Sequence, residues 1–163
     1  MTRQTRRLLT AALMLAACWP APARAQVDEY GVKAAFVRNF IAFVEWPPAR
    51  MAGTDPLQLC IFNSSPITQK LTTLNIDAVK GHRVQVHAIT AIPDVGTCHV
   101  VFVPTSERAQ LAEINSRYKG SGLLTISEEA TDRSGAVINM YLAGNKMTFD
   151  VDLAAADSLS VRV

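Results

Sequence analysis

The side chains best suited to chemistry in this chain are Cys60 and Cys98, the three histidines His82, His87 and His99, and the carboxylates Asp150 and Asp152. In an oxidising compartment an even cysteine pair is most simply a disulfide. Closing a loop of about 38 residues would contribute on the order of 3 to 4 kcal/mol by the chain-entropy estimate. Two buried free thiols are the alternative, and a redox-active pair is disfavoured because there is no Cys-x-x-Cys. His82 and His87 are five residues apart, which puts them on opposite faces of a strand, and His99 opens a different apolar run, so no metal set forms. They read as solvated or hydrogen-bonded histidines. Asp150 and Asp152 share a strand face, as an acid/base or cation pair requires. Phe149 and Val151 take the opposite face, however, which leaves the two carboxylates on an ordinary solvent face. Glu128 and Glu129, followed by Asp132, read as a solvated turn.

Nucleophile and phosphate signatures are absent: the sequence has no Gly-x-Ser-x-Gly, His-Glu-x-x-His, Gly-x-x-x-x-Gly-Lys or Gly-x-Gly-x-x-Gly. With no acid, base and nucleophile clustered in a short chain, the expectation is a protein that is not an enzyme and needs no cofactor or metal.

The ends of the chain set the compartment. Arg3, Arg6 and Arg7 precede the uncharged run Leu8 to Ala17, and Ala23-Arg24-Ala25 offers small residues where signal peptidase reads. Residues 1–25 are therefore expected to be a cleaved signal peptide, with 26–163 a single domain exported to the periplasm. The apolar run is about ten residues, half of what a permanent span needs. Leu15-Ala16-Ala17-Cys18 competes as a lipoprotein signal in which Cys18 is lipidated and becomes the first mature residue; cleavage after Ala25 is the preferred reading. Losing residues 1–25 removes four arginines and no acid, leaving 12 basic against 14 acidic side chains, so the formal charge moves from +2 to −2. The basic balance belongs to the leader, which removes the simplest argument for a nucleic-acid partner.

These residues must be positioned by elements that the hydrophobic pattern announces. Val32, Phe36, Phe40 and Phe43 recur at helical spacing, Val37, Ile41 and Val44 widen the stripe, and Pro47-Pro48 is expected to end the helix. Most of these apolar residues read as core. Phe43 and Trp46 are the candidates for a partner contact. Leu57 to Asn63 reads as a buried strand, and Ser64-Ser65-Pro66 starts a helix carrying Ile67, Leu71 and Leu74. Arg83 to Ile89 is a half-buried strand that completes a βαβ unit, with Val84, Val86 and Ala88 on its inner face. His99 to Val103 suits a central parallel strand. Thr105 or Ser106 is expected to cap the next helix, which carries Leu111, Ile114 and Tyr118 and stops at Gly120 and Gly122. Leu123 to Ile126 is a further strand, and Val137 to Leu142 with Lys146 to Asp152 form an antiparallel hairpin. A short helical turn follows at Leu153 to Asp157. The order implies an α/β, three-layer sandwich with a mixed, mostly parallel sheet and a C-terminal antiparallel hairpin.

Five segments, VKAAFVRNFIAFVEWP, LQLCIFN, TCHVVFVPTSE, LLTISEEA and GAVINMYLAGNKMTFDVDLAAA, occur in the order and near the spacing of the YfiR-like family of periplasmic regulators, which the chain resembles from about Val32 to Leu159. The resemblance implies a non-enzymatic repressor that binds the periplasmic sensor domain of an inner-membrane diguanylate cyclase and lowers cyclic-di-GMP signalling, which governs biofilm formation. It also implies an outer-membrane lipoprotein that relieves the block and a homodimer, and Cys60 and Cys98 fit one of the family's bridges. The alternative reading is a small-ligand sensor or carrier. Open α/β sheets bind ligands at the carboxyl ends of their strands, here Asn63 to Ser65, Pro104 to Ser106 and Ser127 to Glu129.

Overall fold

The continuous apolar runs become the middle of one mixed sheet. A computed structural model describes residues 28–63, 65–73, 78–128 and 135–163; the expected signal peptide, Cys18, Ser64, Leu74, Glu129 and Asp132 lie outside the described residues. The strands are β1 (Leu57–Phe62), β2 (Val84–Ile89), β3 (Val100–Val103), β4 (Leu124–Glu128), β5 (Ile138–Ala143) and β6 (Lys146–Val151). They lie in the order β2-β1-β3-β4-β5-β6, with every pairing parallel except the antiparallel β5–β6 pair. β1 and β3, which read as unbroken apolar runs, are interior strands covered on both faces.

Two cores, one on each face, make the three layers. On the first, Leu59, Ile61, Phe102, Leu124 and Ile126 meet helices α1 (Glu29–Phe43), α2 (Pro66–Thr73) and α4 (Leu153–Leu159) through Val37, Ile41, Leu71 and Leu159. On the second, Cys60, Phe62, Val101 and Val103 meet the 3-10 turn Ile92–Thr97 and helix α3 (Leu111–Arg117) through Val95, Leu111 and Ile114. Alternation along β1 and β3 sends neighbouring residues to opposite cores, as period-two geometry requires. The α/β class and the mostly parallel sheet closed by a hairpin are as the sequence implied.

Three local expectations change. The buried stripe of α1 is Ala34, Val37 and Ile41 with Phe40, continued by Val44 just past its end, whereas Phe36 is half-buried and Phe43 is 78% exposed. The sheet takes the smaller-residue flank because it allows close approach, so the phenylalanine stripe sits at the border of the core. The helix also ends before the prolines: Val44 is extended, and Glu45 exchanges backbone hydrogen bonds with Arg162 at 2.8 and 3.0 Å. Pairing with the C-terminal segment, rather than Pro47, stops it. Finally, Thr105 does not cap a helix. The chain there forms a 3-10 turn, Thr105–Gln110, that has no side-chain cap and leads into α3, and the Thr105 hydroxyl donates to the carbonyl of Glu128.

The hairpin register places Met140 against Phe149 and Leu142 against Met147 around a two-residue turn at Gly144 and Asn145. Gly144 has φ +64°, a left-handed conformation that favours glycine.

Candidate functional site

Cys60 on β1 and Cys98 just before β3 are disulfide-bonded, with Cα atoms 5.9 Å apart, and both are buried in the second core. Burial of both sulfurs gives the bond a structural rather than an exchangeable character. The segment after α1 is fastened beside it. Arg50 Nη2 donates to the carbonyls of Cys98 and Gly96, at 2.5 and 3.4 Å, and Trp46 Nε1 donates to the carbonyl of His99 at 3.4 Å. His99 completes the clamp. Its Nδ1 accepts from the backbone N–H of Gln58 at 3.0 Å, which leaves Nε2–H to donate to the carbonyl of Arg50 at 3.0 Å. A ring holding both bonds must be neutral, and burial, aided by the Arg50 charge, moves its pKa below the ordinary histidine value. Burial likewise pulls the Arg50 guanidinium down, and its Nε has no hydrogen-bond partner among the described residues.

The other histidines have partners of the ordinary kind. His82 Nδ1 meets the carbonyl of Asp55 at 2.8 Å and His87 Nε2 meets Gln58 Oε1 at 2.7 Å. Among the described residues no group of three or more His, Cys, Asp or Glu side chains could hold a metal ion. Asp152 is the N-cap of α4, accepting from the N–H of Ala155 at 3.0 Å, and Asp150 accepts from the Tyr141 hydroxyl at 3.2 Å. Both belong to a shallow hollow of about 360 Å³ bordered by Asn139 and Leu153.

The carboxyl ends of the strands are closed by their own side chains. Asn63 Nδ2 donates to Glu107 Oε1 at 2.7 Å across the ends of β1 and β3. Lys33, 8% exposed on α1, reaches Glu128 at 2.5 Å and Glu29 at 2.8 Å. Burial penalises the Lys33 charge, but the hydrogen bonds to the two carboxylates outweigh it and the pKa is raised. Sequence reading missed this ion pair because a lysine between apolar residues looks like an ordinary solvated position.

The two candidate contact residues part ways. Trp46 is half-buried against the first core and bonded to His99, so it positions the segment, while Phe43 projects from the end of α1. Sequence reading also missed a second apolar surface. Phe149 on β6 packs edge-on against Phe40, ring centroids 4.9 Å apart, and near Phe36 at 6.1 Å, yet remains 43% exposed. Leu142, Val151 and Leu153 are exposed as well. The signal is the alternation of the hairpin itself, which sets Met147, Phe149 and Val151 on one face.

A family model described as YfiR/HmsC-like matches residues 30–163, from the second residue of α1 to Val163. Comparison with curated proteins gave no match.

Proposed function

The chain belongs to the YfiR/HmsC-like family, and on that premise we propose that it is a non-enzymatic periplasmic protein that binds the periplasmic sensor domain of an inner-membrane diguanylate cyclase and holds it inactive. Membership supports, in general terms, a periplasmic regulator of such a cyclase. The partner and the direction of control are our reading. The observation that carries the contact is Phe43: a large aromatic side chain, 78% exposed, on a helix end that the Glu45–Arg162 pairing and Trp46 hold in place. A rigid, solvent-facing aromatic is the type of anchor that dominates protein interfaces. Repression follows if the cyclase conformer that is inactive binds this surface more tightly than the active one, because a ligand shifts an equilibrium only by its differential affinity.

Export fits this role. Residues 1–25 act as a cleaved signal peptide and deliver residues 26–163 to the periplasm, with lipidation at Cys18 the competing route. An outer-membrane lipoprotein that competes for the same protein would relieve repression. A small-ligand role loses the observation that favoured it, since Asn63, Thr105 and Glu128 at the strand ends are engaged by Glu107, Glu128 and Lys33.

The test is capture of the purified periplasmic domain of a membrane cyclase from the same organism by the oxidised mature protein. We expect saturable binding that Phe43→Ser weakens at least ten-fold while Phe43→Leu retains most of it. No binding by the wild type, or equal binding by the serine variant, overturns the proposal.

A further inference from the structure

Helix α1 and the tip of the β5–β6 hairpin leave between them an apolar groove of about 580 Å³. Val32 and Phe36, one helical turn apart, form one wall, and Leu142 and Met147, which pair across the hairpin, form the other. Leu142 is 47% exposed, so the groove is open to solvent. The charged residues on its border are Glu29 and Lys146. Lys146 alternates with Met147 and points to the opposite face of the hairpin. Glu29 therefore sets the charge of the groove. Its Oε1 lies 2.8 Å from Lys33 Nζ, and its side chain is 45% exposed and open to a further cation. What fits here is an apolar side chain accompanied by a positive charge.

The chain supplies both at the entry to α1. Asp28 is the N-cap: its carboxylate accepts from the N–H of Gly31 at 3.1 Å and holds Lys70 at 2.6 Å, and its carbonyl accepts from the N–H of Val32 at 3.0 Å. Glycine at 31 makes room for that carboxylate, since a Cβ there would stand 2.7 Å from Asp28 Oδ2. With the cap at Asp28, Val27 is the residue before it and Val32 the fourth of the helix, the two positions that pack together when both are apolar. Cleavage after Ala25 leaves only Gln26 and Val27 ahead of the cap, with the α-ammonium on Gln26. We propose that the mature N-terminus docks in this groove, the Val27 side chain against Val32, Phe36 and Leu142 and the Gln26 α-ammonium on the Glu29 carboxylate. The ammonium contact rests on cleavage after Ala25, the packing contact only on Val27. Signal-peptide removal then completes the domain: water hydrolyses the Ala25–Gln26 amide, the carboxylate leaves with Ala25, and an uncharged peptide nitrogen becomes an ammonium three residues from Glu29. The groove is thus closed most tightly in the processed protein.

The experiment uses the oxidised chain beginning at Gln26, released from an N-terminal fusion by a protease that leaves no extra residue, so docking is tested apart from where the cell cleaves. Intact mass of the exported protein reports the cellular cleavage site separately. Val27→Cys with Leu142→Cys should form a second disulfide within the chain on mild oxidation, whereas Val27→Cys with Leu153→Cys, roughly 17 Å further along the hairpin, should not. The dye 8-anilinonaphthalene-1-sulfonate should bind Val27→Ser, and a chain that begins at Asp28, about three-fold more than the wild type, and Val27→Ile no more than the wild type. A Gly-Ser extension ahead of Gln26, which carries the ammonium away, should lower the urea midpoint of the wild type and leave that of Glu29→Gln unchanged. Absence of the cross-link at 142, equal cross-linking at 153, or dye binding indifferent to Val27 overturns the packing. A midpoint shift on extension that persists in Glu29→Gln overturns the ammonium contact. An exported protein that begins at Cys18 refutes the processing reading and with it that contact in the cell, while the cross-link still decides the packing. Thermal melting checks folding, and if a cysteine pair does not fold, the dye comparison decides alone.

Discussion

Arg50 donates from Nη2 to the carbonyl of Cys98 at 2.5 Å, so the segment that follows α1 is tied to the residue that closes the disulfide. Trp46 and His99 join the same fastening, which makes the bond between Cys60 and Cys98 a support for the end of α1 as well as for the sheet. Replacing both cysteines by alanine is expected to lower the unfolding free energy by about 3 to 4 kcal/mol, the chain-entropy value for a loop of this length. Urea unfolding of the variant beside the oxidised wild type measures it. A difference below about 1 kcal/mol would mean that the bridge is not a principal support.

Lys33 and Glu128 form the most buried ion pair among the described residues. Lys33→Met should cost about 1 to 3 kcal/mol, because it strands the partly buried Glu128 carboxylate, whereas Lys33→Met with Glu128→Leu should recover much of that loss. The sign of the pH effect follows from the raised lysine pKa. The stabilisation is complete below the ordinary value of 10.5 and is lost as pH rises through the higher folded value, so alkaline unfolding of the wild type should be steeper than that of Lys33→Met. Equal alkaline profiles would contradict the pairing.

His99 titrates in the opposite sense. Its folded pKa lies below the ordinary 6.5, so the unfolded chain takes up the proton first and stability falls as pH drops below 6.5 toward the folded value. His99→Asn, which can still accept from the N–H of Gln58 but does not titrate, should show a flatter dependence as pH falls below 6.5. Urea midpoints of the two proteins at pH 5.5 and 7.5 make the comparison. A wild-type midpoint that rises on acidification would refute the neutral clamp.

Phe43 and Trp46 should separate stability from binding. Phe43→Ser touches an exposed side chain and should change stability by less than about 0.5 kcal/mol. Trp46→Ala removes core packing and the bond to His99 and should cost roughly 2 kcal/mol. Thermal melts and binding to the cyclase domain, measured on both, read the two effects. A destabilised Phe43→Ser would show that the ring is part of the core.

What was legible in the sequence was whatever periodicity and turn chemistry encode. β1 and β3 announced themselves as short unbroken apolar runs, and the hairpin could be read from alternation around Gly144, whereas its register, Met140 against Phe149, is set by a turn one residue shorter than the Ala143–Asn145 segment between the two runs. The Cys60–Cys98 pair followed from cysteine count and export. The rest depends on tertiary partners. Two helical stripes of α1 are both apolar, so pattern alone could not say that Val37 and Ile41 would face the sheet and Phe43 would not. The end of α1 is set by Arg162, more than a hundred residues away, and the Thr105 hydroxyl is drawn off by Glu128. Asp152 was placed on a solvent face and is a helix cap. The clamp at His99 joins residues from three separate segments, a relationship that no local window contains.

The central claim is repression of a membrane diguanylate cyclase, and intracellular cyclic-di-GMP tests it most directly. In the native bacterium, deleting the gene should raise cyclic-di-GMP, wild-type protein restored to the periplasm should return it to the starting level, and Phe43→Ser at equal abundance should not. A deletion that leaves cyclic-di-GMP unchanged, or lowers it, would contradict the account.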